Sequence, residues 1–244
     1  MFEAEEAQWW DVGQRAIAHA LLEPAVARLD TRGDVRLLDA GCGTGANLLH
    51  LGRLGRATGI DRAPEATAGC RARGVRAARA GLQALPFADG VFDVVVSFDV
   101  LYHAWVDDDR AAVGEMMRVL RPGGLMLVRV PALKILWGAH DEAVHSRHRY
   151  TRSELVRLLE GRGLDVLRST YANTFLFPLL LARRTLDRVL GREGSDVGFL
   201  PPPLEWLFRR LLLAEAALVG LGLSLPVGAS AIALARRPLS SDGR

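Results

Sequence analysis

Cysteine is nearly missing: Cys42 and Cys70 are the only two. Two thiols cannot staple a small secreted fold, fill a four-cysteine zinc site, or supply the three-cysteine cluster of a radical enzyme. Lysine is scarcer still, with Lys134 alone and every other base an arginine. Net charge is only +3, from 31 basic and 28 acidic residues, so the pI of 9.3 rests on a small surplus. In a chain this rich in Ala, Leu and Gly, the arginines read as coding bias. Basic clusters interleaved with aromatics are weak, so no nucleic-acid partner is expected. The start Met1-Phe2-Glu3-Ala4-Glu5-Glu6 is acidic where a secretory leader would be basic, and a cytoplasmic location is expected. No repeat or low-complexity stretch is visible. The 244 residues suit one large domain or two small ones at ~100–200 residues each.

One charge-free run needs its own reading. Ala216 to Ala235 has no charged side chain over twenty residues, enough to span a bilayer. Gly220, Gly222, Pro226 and Gly228 interrupt it, and Glu215 and Arg236-Arg237 bracket it. The expectation is a buried helix end, a turn at Leu225-Pro226-Val227-Gly228, and a strand over Ala229–Ala235.

Elsewhere short apolar runs alternate with helical spacing. Residues 1–34 read as helical, with Trp9, Trp10, Ile17 and Leu21 at helix-like intervals. Strands are expected at Val35–Ala40, Ala57–Ile60, Val75–Ala80, Val91–Phe98, Leu125–Val130, Leu164–Tyr171 and Ala229–Ala235. Helices are expected at Ala46–Leu54, Pro64–Arg73 and Asp108–Leu120, and from Thr151, where a Thr/Ser cap precedes Glu154. The alternation predicts an α/β fold: a doubly wound, mostly parallel, seven-stranded, Rossmann-like sheet. In chain order this gives a helical N-terminal segment (1–34), a core (35–171), an apolar helical insertion (172–226) and a last strand (227–238), all in one domain. Ligands in such sheets sit beyond the carboxyl ends of the strands.

The strand Leu37–Ala40 runs into Gly41-Cys42-Gly43-Thr44-Gly45-Ala46, a glycine turn opening a helix. Glycines there allow positive φ and close backbone approach, and a helix start offers N–H donors. Asp61, at the next strand end, can accept the hydroxyls of a ribose. These features alone also fit a dinucleotide site or an unliganded tight turn. Three further motifs follow in order: Leu85-Pro86-Phe87, Phe92-Asp93-Val94-Val95-Val96, and Leu120-Arg121-Pro122-Gly123-Gly124. With Asp39-x-Gly41-x-Gly43-x-Gly45, the series over residues 35–131 resembles the class I S-adenosylmethionine-dependent methyltransferases. The glutamate-rich start running into Trp9-Trp10 and Arg15, and the Asp141…Arg149-Tyr150-Thr151 segment, resemble a bacterial subgroup of that family.

The resemblance implies S-adenosylmethionine as cofactor. Asp39, Gly41, Cys42, Gly43 and Gly45 would hold its methionine part, Cys42 itself being a small packing residue. Asp61 would bind the ribose with Arg62 beside the adenine. Gly81 and Leu82 would flank the adenine, although many relatives carry an acid where Gly81 stands. Phe98 and Asp99 would face the methionine amino group and the sulfonium. The Asn-Pro-Pro-Tyr type motif of amide and adenine nitrogen methylases is absent at Ser97-Phe98-Asp99-Val100.

A hydroxyl acceptor benefits from a general base, and imidazole matches neutral pH. His103, just past the fourth strand, is the candidate base or orienting residue, weighed against a histidine that only bonds a loop. Arg149 and Tyr150 are candidate acceptor contacts, weighed against a loop packed by its own ion pairs. No metal is expected: Asp107-Asp108-Asp109 reads as a helix cap, and His140, His145 and His148 match no zinc spacing. The insertion's Phe175–Leu181 and Leu204–Leu213 are too apolar for one surface helix. A lid over an apolar small-molecule acceptor, a homodimer interface and a membrane-surface contact compete for them, the lid ranking first. The expected activity is methylation of a small apolar molecule, at oxygen first and nitrogen or carbon next. A non-catalytic binding module of the same fold and an NAD-dependent oxidoreductase are the alternatives; a macromolecule methylase is disfavoured by the modest charge.

Overall fold

Seven strands build one sheet: β1 (Arg36–Ala40), β2 (Arg56–Asp61), β3 (Ala77–Arg79), β4 (Phe92–Phe98), β5 (Leu120–Pro131), β6 (Asp165–Ala172) and β7 (Ser230–Arg236). The helices are α1 (Trp9–Val26), α2 (Ala46–Leu51), α3 (Pro64–Ala72), α4 (Asp109–Val119), α5 (Ala139–Ala143), α6 (Arg152–Glu160), α7 (Phe177–Leu190) and α8 (Pro202–Gly220). This computed structural model describes residues 8–31, 33–190 and 200–239. The expectations for residues 1–7, for Arg32 and for the break within 191–199 lie outside them.

Strand order is β3-β2-β1-β4-β5-β7-β6. Only β7 runs antiparallel, between β5 and β6. The expected doubly wound sheet is therefore present. Its order reverses between β1 and β4, the position where such sheets open a crevice. β4 shows why a continuous apolar run becomes a central strand: Phe92 to Ser97 are all buried, with helices on both sides. Val95 packs with α4 and α6, while Val94 and Val96 pack with α1 and α8.

Local signals act as read. Pro64 opens α3, the Asp108 carboxylate accepts from the Ala111 N–H to cap α4, and Thr151 and Glu154 form a reciprocal cap on α6. β5 starts five residues earlier than expected because Leu120 pairs with Phe92 ahead of the glycine bend.

The insertion divides. α8 is a core layer against α1 and the sheet, burying Leu212, Ala216 and Val219. A Cβ at Gly13 would run into Leu212, so glycine there lets the two helices meet closely. The expectation of one apolar lid is corrected for α8, whose inner face belongs to the core. The Glu215 carboxylate, fully buried, accepts from the N–H groups of Asn173, Thr174 and Phe175 at 2.5, 2.8 and 3.3 Å. That clamps α8 to the end of β6. The run 216–235 resolves into the end of α8, a turn and β7, and among the described residues no helix is long and apolar enough to cross a membrane.

Candidate active site

The ends of β1, β2, β3 and β4 enclose a cleft of about 1070 Å³ lined by Gly41, Cys42, Gly43, Asp61, Arg62, Gly81, Leu82, Phe98, Asp99 and His103. Ten of the residues singled out in the sequence thus meet in one space. Arg15, noted only as part of the subgroup resemblance, lines it too, as do Asp11, Asn47 and Trp105, which were not singled out as site residues. α1 brings Asp11 and Arg15 in from far away in sequence.

The glycine turn has the expected positive φ, but the amides expected to face a ligand do not all do so. Its amides are spent internally: Gly41 and Cys42 donate to the Ile60 carbonyl (2.8 and 2.9 Å), Gly43 to Asp61 (3.0 Å), and Gly45 to the Cys42 carbonyl (3.0 Å). The glycines contribute shape. Gly41, Gly43 and Gly45 have φ of 96°, 53° and 90°, a region most side chains avoid. A Cβ on Gly41 would strike Val100, whereas one on Gly43 would meet nothing within 4 Å and project into open space. Gly45 does not line the cleft; a Cβ there would press on Val75 and Cys70, so its role is packing beneath the turn.

Asp61 is held by two amides, Gly43 N–H on Oδ2 and Ala63 N–H on Oδ1 at 2.9 Å. A carboxylate has about four lone-pair sites, so two remain for a ligand's hydroxyls. Asp39 lies behind the cleft rather than on it. It is fully buried in β1, neither carboxylate oxygen has a hydrogen-bond partner, and burial pushes its carboxyl up to about 7. Cys42 and Cys70 are both buried with sulfurs 3.8 Å apart, and burial raises both thiols, as expected of packing residues rather than nucleophiles.

At the end of β4, Asp99 turns the chain with φ 55° and pairs with Arg129 at 2.6 Å. Beyond it the His103 ring stacks on Trp105 (centroids 3.8 Å), and the Arg62 guanidinium lies over the Trp105 ring at 5.3 Å. His103 Nδ1 lies 2.9 Å from the Val144 carbonyl, which can only accept, so Nδ1 carries the hydrogen and Nε2 the lone pair. Burial lowers the imidazole's pKa, outweighing the Val144 hydrogen bond and the nearby Asp99 and Asp61 charges.

A second chamber of about 240 Å³ adjoins on the far side of Asp99. Trp9, Trp10, Tyr102, Leu176, Leu179, Leu180 and Phe208 line it, with Arg149, Arg183 and Arg184. Arg149 reaches its wall but is committed: its guanidinium binds the buried Asp141 carboxylate at 2.7 and 3.1 Å and the Ala132 carbonyl. Tyr150 lines neither space. It is buried and its hydroxyl donates to Asp109 at 2.8 Å, so its contacts are those of a scaffold residue, and its expected acceptor contact is not seen. The loop is therefore packed by its own ion pair, the plainer of the two readings. Among the described residues no cluster of histidine, cysteine and carboxylate side chains forms a metal site.

The three further sequence motifs turn out to brace the scaffold. Asp93 of the valine-rich strand pairs with Arg121 of the Arg-Pro-Gly-Gly bend at 2.5 Å. Leu85 and Phe87 are pinned to α4: Glu115 accepts from the Leu85 N–H, and Arg118 donates to both their carbonyls.

A family model described as a methyltransferase domain matches residues 38–128. That segment is similar to the cores of S-adenosylmethionine-dependent methyltransferases. A malonyl-acyl-carrier-protein O-methyltransferase of Enterobacter lignolyticus is 35% identical over 159 residues, 61% of this chain and 60% of that one. A ubiquinone biosynthesis O-methyltransferase of Parvibaculum lavamentivorans is 31% identical over 154 residues, 52% of this chain and 58% of that one. The chain thus spans about three fifths of the length of these curated relatives. A methyltransferase solved in complex with the Trm112 activator of Haloferax volcanii shares the fold at TM-score 0.59 and 20% identity, covering 98% of each chain.

The matched segment has features that fit S-adenosylmethionine. Gly43 and Gly81 leave a cradle their missing Cβ atoms would fill, Asp61 keeps acceptor capacity toward it, and Asp39 is an orphaned buried carboxylate behind it. An acidic adenine partner at Gly81 is lacking, and Gln83 lines the cleft beside it.

Proposed function

We propose that the chain transfers a methyl group from S-adenosylmethionine to a small, apolar acceptor at an oxygen atom. One observation carries this reading: Asp99 lines both the cleft and the apolar chamber, so the two spaces meet at the end of β4. The bound cofactor supplies an activated methyl on a sulfonium, and in-line displacement needs the acceptor held on the far side of that carbon. The chamber provides that hold. Trp9, Leu176, Leu180 and Phe208 enclose an apolar body and exclude water.

His103 handles the proton. Its Nδ1–H is fixed on Val144, Nε2 has the free lone pair, and burial keeps the ring neutral at pH 7. When the cofactor supplies its methyl group to an acceptor hydroxyl, Nε2 would take up the proton that the hydroxyl releases. Arg129 holds Asp99, and Arg149 with Asp141 holds the chamber wall. The O-methyltransferases among the relatives support oxygen as the acceptor atom.

The test is turnover of isotopically labelled cofactor against a panel of apolar phenols and carboxylic acids, read by product mass. A methylated product is expected, and His103→Ala should slow its formation by about 10²–10⁴-fold while S-adenosylhomocysteine binding holds. In the parent the rate should fall on the acid side only below histidine's ordinary pKa of 6.5, following the lowered imidazole. Tight cofactor binding with no methylated product would favour the non-catalytic module.

A further inference from the structure

We propose that the outward face of α8 docks this protein on an anionic lipid surface. A helix covering a sheet normally shows charge to solvent. α8 does not. Its inner face buries Leu212, Glu215, Ala216 and Val219, yet the opposite face is also apolar. Trp206, Leu207 and Leu213 are exposed there at helical spacing, and Leu221, just beyond the helix end, is 80% exposed. Among the described residues nothing packs on this face.

Charge selects the occupant. From Trp206 to Leu221 the only exposed charged side chains are Arg209 and Arg210; Glu215 is turned inward. Arg210 lies over the Trp206 ring at 5.4 Å, joining an indole to a cation, the pairing suited to the boundary between headgroups and acyl chains. A second copy of the chain is a poorer fit, because a two-fold contact on this face would bring the same arginines toward each other.

The chamber lies beside the first turns of α8: Phe208, packed on Trp9 of α1, forms part of its wall, as does Leu179 of α7, 53% exposed. Docking through α8 would bring this end of the chamber near the lipid, and the acceptor class would narrow to amphiphiles that partition into membranes. This last step rests on the chamber being the acceptor site; the docking itself does not.

Vesicle flotation tests it. The full chain should bind phosphatidylglycerol-containing vesicles at low salt and bind pure phosphatidylcholine vesicles about tenfold more weakly. R209E/R210E should cut binding to the anionic vesicles by on the order of tenfold or more, and W206S/L213S should weaken binding to both. Far-UV circular dichroism and S-adenosylhomocysteine affinity should stay at parent values in both variants. Vesicle binding in a chain that fails to bind the nucleoside would remove the methyl-transfer reading and leave the docking intact. No binding of the parent to anionic vesicles, parent-like binding by both variants, or a parent dimer that W206S/L213S splits would overturn the docking.

Discussion

The two spaces that meet at Asp99 are built in opposite ways. The cleft rests on a local backbone turn: Gly41 to Asp61 lie within one strand-turn-helix-strand unit, and the turn's amides donate to the Ile60 carbonyl and the Asp61 carboxylate. The chamber is a side-chain construction, gathered from α1, the ends of β4 and β5, the loop holding Arg149, and both insertion helices. A local backbone device changes little when surface residues change. A chamber assembled from distant apolar side chains can be resized by single substitutions. The difference suggests that one half serves a fixed ligand and the other a ligand particular to this chain.

The sharpest way to break the contrast is at Gly43. Its missing Cβ faces open cleft, whereas the missing Cβ of Gly41 faces Val100. Gly43→Leu should therefore leave the chain folded, with about 1–2 kcal/mol lost to the left-handed backbone, while S-adenosylhomocysteine affinity falls by on the order of 100-fold or more. Gly41→Ala should do the reverse, costing about 1–3 kcal/mol of stability through overpacking before it touches binding. Calorimetric titration beside thermal melts would read both. Equal losses of affinity and stability in the two variants would sink the distinction.

A smaller effect is expected on the chamber side. Leu180 lines the chamber and not the cleft. Leu180→Trp should fill part of its volume, raising the acceptor KM by about tenfold, near the value of one or two methylenes in an apolar pocket. Cofactor affinity should not move. A matching loss of S-adenosylhomocysteine binding would mean the two spaces are not separate.

The same contrast explains what the sequence could tell. The alternation of apolar runs, the turn at Gly41–Gly45 and Asp61 at a strand end are local signals, and each lies where its spacing implied. Asp39 and Gly45 were right about the motif and wrong about the wall: both sit behind the cleft, because a turn this tight has an inside as well as a lining. Tyr150 and Arg149 misled because a polar, histidine-rich loop looks reactive in one dimension. Only the fold shows that Asp109 and Asp141 occupy them. Trp105 and Asp11 were invisible as site residues since stacking on His103 or reaching in from α1 leaves no sequence pattern. The double-sided nature of α8 was hidden for the same reason, as a continuous apolar run does not say which side meets the core.

Asp39 offers the finest test of the boundary between the halves. Its carboxyl titrates near 7 in the folded chain against 3.8 ordinarily, because burial outweighs the favourable Arg129 charge, with Asp61 adding repulsion. Between those values the folded state holds a proton that the unfolded state has released. Stability from the neutral form is thus complete below about pH 4 and drains away as pH rises through 7. The shift corresponds to a ceiling of about 4 kcal/mol, and an unpaired asparagine amide would return about 1–3 of it. Asp39→Asn should match the parent at pH 5 within that amide cost and gain on it by about 1–2 kcal/mol between pH 5 and pH 8, seen in urea melts at the two pH values. If this buried carboxylate acts on the ligand's charge, the same substitution should weaken S-adenosylmethionine, which is cationic at sulfur, more than its uncharged-sulfur product S-adenosylhomocysteine. Equal weakening of the two would move the role of Asp39 from the ligand's charge to the strand alone.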